Sequence, residues 1–575
     1  MSTSCFALPV LAALLTPDAR DPVLLQAQSL GATPLVASAA DVAAALWTTD
    51  LGETLILSVS DGRGVAWSGP LQVDQPGTAD FVSHRSVEVL GDEVFVQWAD
   101  DRHYDPALWP IVASTPFLRV YDAQGGGFGP EIPVLPGPLP ERTQYSGMAF
   151  ALEEVGGQKH LHVALYQKVT PVGSTTGQSQ VLLVSSLDGG ATWGAPLALT
   201  APGAVSGGDV DLAVSGTTVH VVWTDSAGYN QTDLYYRRSS DAGATADFAA
   251  PLFLSNFANV SDFDVDAEGS VLAVAFTHLE PYFAVQSARA TVSADGGDTF
   301  GPLASMGAAA EFLTDTWDPS VAVLPGTDDV VVAYTAAVYT ELGARLYRRR
   351  TGDGGATWDL GQEIAAGDNR QPRLAASGPQ RDRVVATWIQ GIGPQRRVTA
   401  AVSADGGLTF GPAVPVSDPG ASALDLAWND LYQNAIVTWA DFYGTKPTYA
   451  GGLRPQAITP TGFAPGPTQL GADFEAFDDG SGLAFLLFST APGSFPLPLG
   501  DGRDLGLEPS QLFLDTLPLA LGGTLAAALA PDGSGSLTPI PATLPSPLTV
   551  YAAGLALDLG TLSFGDISDV VRIDF

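Results

Sequence analysis

The chain has 575 residues, in which 62 acidic residues face 25 Lys and Arg, so that the formal net charge is −37. A charge of this sign and size argues against partners such as nucleic acid or anionic membrane surfaces. The hydrophobic content of 46% excludes a disordered chain, and the length predicts one large domain followed by a smaller one.

The N-terminal region carries an apolar run over residues 5–15 that is too short to span a bilayer. Its length is typical of the core of a signal peptide, and we expect residues 1–19 to direct export. The protein is then predicted to be secreted or held at the cell surface, with no transmembrane segment. Cys5 is the only cysteine, so no intramolecular disulfide is expected.

One motif returns five times at nearly constant spacing. Its first copy is SLDGGATW at residues 186–193, and later copies begin at Ser239, Ser293, Thr351 and Ser403, at intervals of 53, 54, 58 and 52 residues. A fixed period of this length indicates a repeat architecture. Within the motif, Ser and Asp side chains accept hydrogen bonds from backbone N–H groups a few residues on, and Gly supplies positive φ, so that each copy predicts a tight turn.

We expect the turn motifs to be structural, because each lies a whole repeat unit from the next and no two can form one metal or catalytic site. The residues predicted to have this role are Ser186, Asp188, Gly190, Trp193, Asp241, Asp295, Asp353 and Asp405.

A second landmark extends the repeat count to eight. A short apolar run ending in an aromatic residue recurs at intervals of 51 to 68 residues, at Trp47, Trp98, Tyr166, Trp223, Phe276, Tyr334, Trp388 and Trp439. Each unit holds four short apolar or aromatic runs separated by turn residues, the last unit ending near Phe463, which predicts four-stranded propeller blades. We count eight blades over residues 30–470, or seven if a terminal unit is shared.

The motif Ser/Thr-x-Asp-x-Gly-x-Thr-Trp/Phe resembles the Asp-box, or BNR repeat, of exported bacterial sialidase-like β-propellers. The resemblance implies an all-β, Asp-box β-propeller whose ligands bind at its centre. They bind on the face that carries the strand 4–1 and strand 2–3 connections. Residues 471–575 lack the motif and show turn signals every 8–12 residues, which predicts a small C-terminal β-sandwich.

Sialidases hold the substrate carboxylate with three arginines, the first in an Arg-Ile-Pro motif that this chain lacks. The nearest match is His84-Arg85-Ser86, which by resemblance makes Arg85 the first of the three arginines. Arg142 and Arg373 are candidates to complete the set. Asp101 or Asp105 is the corresponding acid/base candidate, and no Tyr–Glu nucleophile pair can be assigned.

Further residues fall at the predicted ligand face and together describe a polar cup with aromatic walls, suited to a sugar or to Ca²⁺. They are Arg102, Tyr145, Asp211, Asp264, Trp317, Asp318, Arg370, Asp441 and Tyr443. No Ca²⁺ loop of fixed spacing is present, so that Ca²⁺ stays unassigned, and we expect no other cofactor and no metal site.

The leading hypothesis is an exported sialidase-like propeller that acts as a monomeric binding module toward glycans or other extracellular polymers. One alternative is an exo-acting glycoside hydrolase of the sialidase type. A second alternative is a structural cell-surface or matrix protein. Since the turn motifs do no chemistry, the repeats predict the fold more firmly than the activity.

Overall fold

A computed structural model describes most of the chain from residue 18 to residue 574. The described residues are 18–19, 23–26, 34–39, 41–49, 54–62, 64, 67–75, 82–102, 114–135, 143–171, 174, 176–206, 208–228, 231–248, 250–255, 259–279, 285–307, 314–338, 343–376, 383–403, 405–429, 434–441, 448–454, 457–461, 466–475, 482–489, 526–528, 535–536, 540–544, 549–558, 563–567 and 571–574. Their regular secondary structure is all β apart from one 3-10 turn, Gly393–Gln395. Over these ranges no helix is both long enough and apolar enough to cross a membrane.

The chain divides into two compact units, Ala19–Leu453 and a second one of Met1–Asp18 with Arg454–Phe575. The described part of the first unit folds into eight antiparallel sheets, which we number in chain order. The sequence prediction placed the end of the repeats near residue 470.

The strands of each sheet follow, from first to outermost. Sheet 1 has Leu35–Ala39, Val42–Thr49, Thr54–Asp61 and Leu71–Gln72, and sheet 2 has Val82–Leu90, Glu93–Asp100, Thr115–Asp122, Gly127–Phe128 and Ile132–Pro133. Sheet 3 has Thr143–Val155, Gln158–Val169, Gln178–Ser186 and Leu197–Ala198, and sheet 4 has Val210–Ser215, Thr218–Gly228, Gln231–Ser239 and Leu252–Phe253. Sheet 5 has Asn259–Glu268, Val271–Leu279, Gln286–Ser293 and Ala304–Ser305, and sheet 6 has Thr314–Val323, Val330–Val338, Ala344–Thr351 and Gln362–Ala365. Sheet 7 has Asn369–Ala376, Val384–Gln390, Arg397–Ser403 and Val414–Pro415, and sheet 8 has Ala421–Asn429, Asn434–Asp441, Thr448–Arg454 and Val23–Gln26; the two-residue strand Asp18–Ala19 spans the border of the units.

The second strand of each sheet forms the centre of the core. The aromatic residue at its end is almost fully buried in every sheet, from Trp47 in sheet 1 to Trp439 in sheet 8. Each sheet packs between two neighbours, so both faces of its second strand need apolar residues, and the strand reads as a continuous apolar run. The aromatic landmark of the sequence is therefore a packing residue.

The first strands contact one another in chain order, and the first strand of sheet 8 contacts that of sheet 1. Hydrogen bonds also join these two sheets: Val36 N donates to Asp425 Oδ2 at 2.9 Å, and Asn429 Nδ2 donates to Ser38 Oγ at 2.7 Å. The series of contacts thus returns to its start, with the first strands innermost.

Sheet 8 differs from the prediction in the origin of its outer strand. Val23–Gln26 pairs with Thr448–Arg454 in antiparallel register, with Val23 opposite Ala450 and Leu24 opposite Tyr449. The sequence instead suggested that the eighth unit ends near Phe463, which lies outside the described residues. The strand just before it, Ala457–Thr461, pairs with Gly466–Glu475 in the second unit.

The second unit contains two antiparallel sheets in its described part. One has Ala457–Thr461, Gly466–Glu475, Gly535–Ser536 and Ile540–Leu544, and the other has Gly482–Ser489, Ala526–Ala528, Thr549–Asp558, Ser563–Ile567 and Val571–Asp574. Their packing as a β-sandwich stays a prediction.

Candidate functional site

Each of the five turn motifs forms the same set of hydrogen bonds. In the first copy, Ser186 Oγ donates to Asp188 Oδ1 at 2.8 Å and accepts from Gly190 N at 2.8 Å. Asp188 also accepts from Thr192 N at 2.8 Å and from Thr192 Oγ1 at 2.6 Å. The same bonds recur in the copies that begin at Ser239, Ser293, Thr351 and Ser403.

These bonds hold the motif aspartates in the charged state. The side-chain bond from Ser239, with those from Thr245, lowers the pKa of Asp241 to about 2, and bonds from Thr299 and Ser293 do the same for Asp295. Each carboxylate is engaged within its own turn, and the aromatic Trp193 packs against the core between sheets 2 and 3. This geometry supports a structural role for the motifs, which remains to be tested by mutation.

In the segment Trp98-Ala-Asp-Asp-Arg102, the side chains of Trp98 and Arg102 both hydrogen-bond to that of Asp100. Asp100 accepts from Trp98 Nε1 at 2.9 Å and from Arg102 Nε at 2.8 Å, and its Oδ2 pairs with Arg102 Nη2 at 2.5 Å. Arg102 also pairs with Glu131 at 2.5 Å and lies over the ring of Phe117. The guanidinium is therefore engaged within sheet 2 and does not present its paired N–H donors to a carboxylate from solvent.

Arg85 lies in an irregular start of the first strand of sheet 2. The register shifts between Ser83 and Ser86, and His84 takes a φ of 46°, a left-handed conformation that non-glycine residues seldom adopt. Arg85 Nη1 lies 3.5 Å from Thr48 Oγ1 in sheet 1, and burial lowers the pKa of Arg85 to about 10. Asp101, the acid/base candidate, follows the second strand of the same sheet and is half-buried.

The same irregular start recurs in sheets 6 and 7. Asp318 has a φ of 49° and Gln371 a φ of 52°, each within a register shift of its first strand. Asp318 Oδ2 accepts from Gln371 N at 3.2 Å, so that it links the two sheets. Trp317, beside it, is half-buried and pairs with Thr335 in the second strand.

Several sequence candidates lie apart from one another. Tyr145 is buried in sheet 3, where its hydroxyl accepts from Gln167 Nε2 at 3.5 Å and burial raises its pKa. Asp441 pairs with Ala421 across sheet 8. Arg142, Tyr443 and Asp105 lie outside the described residues, so the proposed arginine triad is not assembled by what the structure describes.

The structure does bring together a set of first-strand carboxylates, which we call the inner carboxylate cluster. It comprises Glu88, Asp211, Asp264, Asp266 and Asp425, from sheets 2, 4, 5 and 8. All five are half-buried. Asp425 raises the pKa of Glu88, and Asp264 raises those of Asp211 and Asp425. Because sheets 5 and 8 are not neighbours, the effect of Asp264 on Asp425 extends beyond adjacent sheets.

Burial dominates the electrostatics of the inner carboxylate cluster. It raises the pKa of Glu88 to about 8, that of Asp211 to about 7 and that of Asp266 to about 6. Arg373 in sheet 7 opposes this effect on Asp211, Asp264 and Asp425. Among the described arginines that the sequence nominated, Arg373 is thus the one whose charge acts on these carboxylates.

Some members of the inner carboxylate cluster also join neighbouring sheets. Asp264 Oδ2 accepts from Ser320 Oγ at 2.9 Å and from Val321 N at 2.8 Å, and Asp266 Oδ2 accepts from Val323 N at 2.8 Å. Asp211 differs, since it accepts a hydrogen bond from its own neighbour, Leu212 N, at 2.8 Å. Asp211 is therefore better placed than Asp264 to exchange its contacts for those of a ligand.

Sequence reasoning missed Glu88 and Asp266 as site residues. The spacing Asp262, Asp264, Asp266 carried the signal, since residues two apart on a strand share one face. Over the described ranges, no group of three or more His, Cys, Asp or Glu side chains is placed to hold a metal ion.

No protein-family model matches the chain, and no curated protein matches it. Solved structures that resemble it include a sialidase of Trypanosoma rangeli in complex with sialic acid, at 10% identity over 78% of this chain and 89% of that one, with a TM-score of 0.30. The polysaccharide lyase Uly1 has 10% identity over 77% and 99%, with a TM-score of 0.42. The GH93 α-L-arabinofuranosidase of Fusarium graminearum with arabinobiose has 14% identity over 54% and 92%, with a TM-score of 0.34. At this level of similarity, the function of the chain has to be argued from its own geometry.

Proposed function

We propose that the chain is an exported, eight-bladed β-propeller of the sialidase-like Asp-box type that binds glycans or other extracellular polymers. Its eight sheets serve as blades, and its C-terminal unit is a small β-sandwich. The contacts that run from sheet to sheet and return to sheet 1 support the blade assignment. The shared network of the five turn motifs supports the Asp-box assignment.

The observation that carries the binding role is the inner carboxylate cluster around Arg373. Carboxylates accept hydrogen bonds from sugar hydroxyls, and burial strengthens such bonds because water competes less. The same cluster would repel a carboxylate at the centre. The arginines nearest the family's pattern are engaged elsewhere, since Arg102 pairs with Asp100 and Glu131, and the half-buried Arg85 lies beside Thr48. A sugar held by its hydroxyls fits this centre better than sialic acid held by its carboxylate.

The test is affinity gel electrophoresis of the full chain through dextran, arabinan, galactan, xylan and mannan. We expect retardation by at least one polymer, weakened by Asp211→Asn, because the amide keeps the shape but not the charge. Asp328→Asn, on an exposed turn, is the matched control and should migrate as the wild type does. Failure of every polymer to retard the wild type would refute glycan binding and favour the structural cell-surface alternative.

The hydrolase alternative has one observation in its favour. Glu88 and Asp211 have pKa values raised to about 8 and about 7, the range in which a carboxyl group can act as a general acid near neutral pH. A fluorogenic glycoside panel that includes a sialoside separates the two functions. We expect no turnover; turnover that is lost in Arg85→Ala would make the chain a sialidase-type enzyme.

A further inference from the structure

Sheet 7 places three arginines at one end. Arg370 is the second residue of its first strand, Arg373 follows on the same strand, and Arg396 comes directly before the third strand. Arg370 pairs with Ile389 and Arg373 with Thr387, two residues apart on the second strand. Because side chains alternate along a strand, Arg370 and Arg373 lie on the same face of the sheet.

Arg396 lies on that face as well. Its neighbour Arg397 pairs with Gln390 and so points to the opposite face from Arg370. The backbone of Arg396 is extended, with φ −62° and ψ 134°, which turns its side chain away from that of Arg397. The carbonyl oxygen of Arg396 accepts from Ala421 N in sheet 8 at 3.1 Å. We call Arg370, Arg373 and Arg396 the sheet 7 arginine group.

The two faces of sheet 7 have different neighbours. On the face of Arg397, Trp388 packs against Leu346 and Ala365 of sheet 6. From the face of the sheet 7 arginine group, the charge of Arg373 acts on Asp425 in sheet 8, and the charges of Arg373 and Arg370 act on Asp318 in sheet 6. The group therefore lies beside the inner carboxylate cluster but extends outward along one sheet.

The guanidinium groups keep unused donors. Arg370 Nη2 donates to Asp368 Oδ2 at 2.7 Å, and Arg373 Nη1 donates to Pro372 O at 3.0 Å. The Nε atoms of Arg370 and Arg396 are buried and find no acceptor among the described residues. A charged donor without an acceptor is costly, and the side chain of Arg370 is 38% exposed, so its guanidinium can turn toward an incoming anion.

The distribution of charge along the chain agrees with this. Ten of the 25 Lys and Arg residues lie between residues 345 and 397, in a chain that is otherwise strongly acidic. Ile392, which flanks the 3-10 turn on the side opposite Arg396, is 66% exposed. The end of sheet 7 thus offers cations next to an apolar side chain, which suits a sugar ring that carries an anionic substituent.

We infer that the sheet 7 arginine group binds an anionic substituent, sulfate or carboxylate, on a polysaccharide whose sugar hydroxyls contact the inner carboxylate cluster. This rests on the proposed glycan-binding function. The first and third strands of a sheet lie about 10 Å apart, a span that two long arginine side chains bridge toward one anion. The planar fork of each guanidinium matches both anions.

The experiment compares dextran, dextran sulfate and carboxymethyl-dextran at constant ionic strength, with binding to the full chain measured by isothermal titration calorimetry. We expect at least one charged polymer to bind tenfold or more tightly than dextran. Arg370→Gln with Arg396→Gln should reduce that preference roughly 10- to 100-fold, as loss of charge-assisted hydrogen bonds predicts. Which charged polymer is preferred distinguishes sulfate from carboxylate.

Arg397→Gln is the matched control, because it removes the same charge from the adjacent residue on the opposite face. A preference that survives in the double variant, or that falls equally in Arg397→Gln, would overturn the inference. If the double variant unfolds, Arg396→Gln alone carries the same comparison. Absence of binding to both charged dextrans overturns this inference only, whereas glycan binding itself is judged by the neutral panel and Asp211→Asn.

Discussion

Arg237 Nη1 in the third strand of sheet 4 donates to the backbone carbonyl of Leu199, the residue that follows the outer strand of sheet 3, at 2.5 Å. Arg119 in sheet 2 makes the same contact with Val73 O, and Arg349 in sheet 6 makes it with Ser305 O at 2.7 Å. Each of these arginines also bonds a carbonyl in its own sheet. Sheets 2, 4 and 6 thus share a contact to the preceding sheet.

The first prediction concerns this contact. Arg237→Ala should lower the free energy of unfolding by about 2 kcal/mol, because a charged donor to buried carbonyls is lost and the carbonyls are left unsatisfied. Chemical denaturation measures it. Lys159→Ala removes a half-exposed pair with Glu93 and should cost at most about 1 kcal/mol. Equal losses of unfolding free energy in the two variants would contradict a contribution of the arginine contact greater than that of the Lys159–Glu93 pair.

The second prediction concerns the turn motifs. Trp193→Ala should destabilise the chain by about 2 kcal/mol, because a half-buried aromatic leaves the core between sheets 2 and 3. Asp188→Ala should also destabilise it, since Thr192 and Ser186 lose their partner. Polymer binding by the protein that remains folded should be unchanged. Unaltered thermal midpoints in both variants would contradict a structural role.

The third prediction concerns backbone strain in the turns. Gly296 has a φ of +69°, and a Cβ added there would meet nothing closer than 3.8 Å, so Gly296→Ala tests conformation alone. We expect a loss of about 1 kcal/mol. Ala242 occupies the same motif position in sheet 4 with a φ of 55°. Ala242→Gly should therefore be close to neutral, since relief of strain offsets greater freedom of the unfolded chain. A neutral Gly296→Ala would contradict the argument.

The fourth prediction is a dependence of stability on pH. Burial, with the charge of Asp425, raises the pKa of Glu88 from 4.5 to about 8, so the folded chain keeps a proton that the unfolded chain releases. The associated stabilisation is complete below about pH 4.5 and is lost as the pH rises through 8. The contribution of Glu88 to the stability of the wild type should therefore decline between about pH 4.5 and 8. The stability of Glu88→Gln should fall less, while Glu93→Gln, in an exposed pair, should follow the wild type.

The fifth prediction is a loss of stability at low pH, opposite in direction to the effect of Glu88. His220 Nδ1 lies 2.9 Å from Tyr236 Oη, and burial lowers the pKa of His220 from 6.5 to about 4. The unfolded chain therefore binds a proton that the folded chain refuses, and stability should be lost as the pH falls from 6.5 through 4. Imidazole NMR signals of His220 should stay those of the neutral ring above about pH 5. Titration near pH 6.5 would refute this.

The sequence predicted those features that local signals encode. The turn motifs and the strand-ending aromatics from Trp47 to Trp439 mark each unit by residues that lie next to one another in the chain. The outer strand of sheet 8 has no such signal, because Val23 meets Ala450 through a pairing across more than 400 residues.

Contacts between residues that are not neighbours in the chain also limited the prediction of the site. The sequence shows Arg102 as a cation near a predicted ligand face, but not that Asp100 and Glu131 engage it. It shows alternating aspartates in sheet 5, but not that Asp264 accepts bonds from Ser320 and Val321 in sheet 6. The first outcome depends on contacts within one sheet and the second on contacts between two sheets, and no periodicity of the sequence records either.

The pairing of Val23–Gln26 with Thr448–Arg454 also orders events during synthesis. Sheets 1 to 7 each consist of consecutive strands, so they can form as the chain emerges. Sheet 8 has to wait until residue 450 meets a strand made more than 400 residues earlier, and the bond from Val36 to Asp425 waits with it. Until then, the first strand of sheet 1 lacks its last neighbour. If the chain were cut just after residue 26, the strand Val23–Gln26 would stay attached at this place through its pairing with Thr448–Arg454.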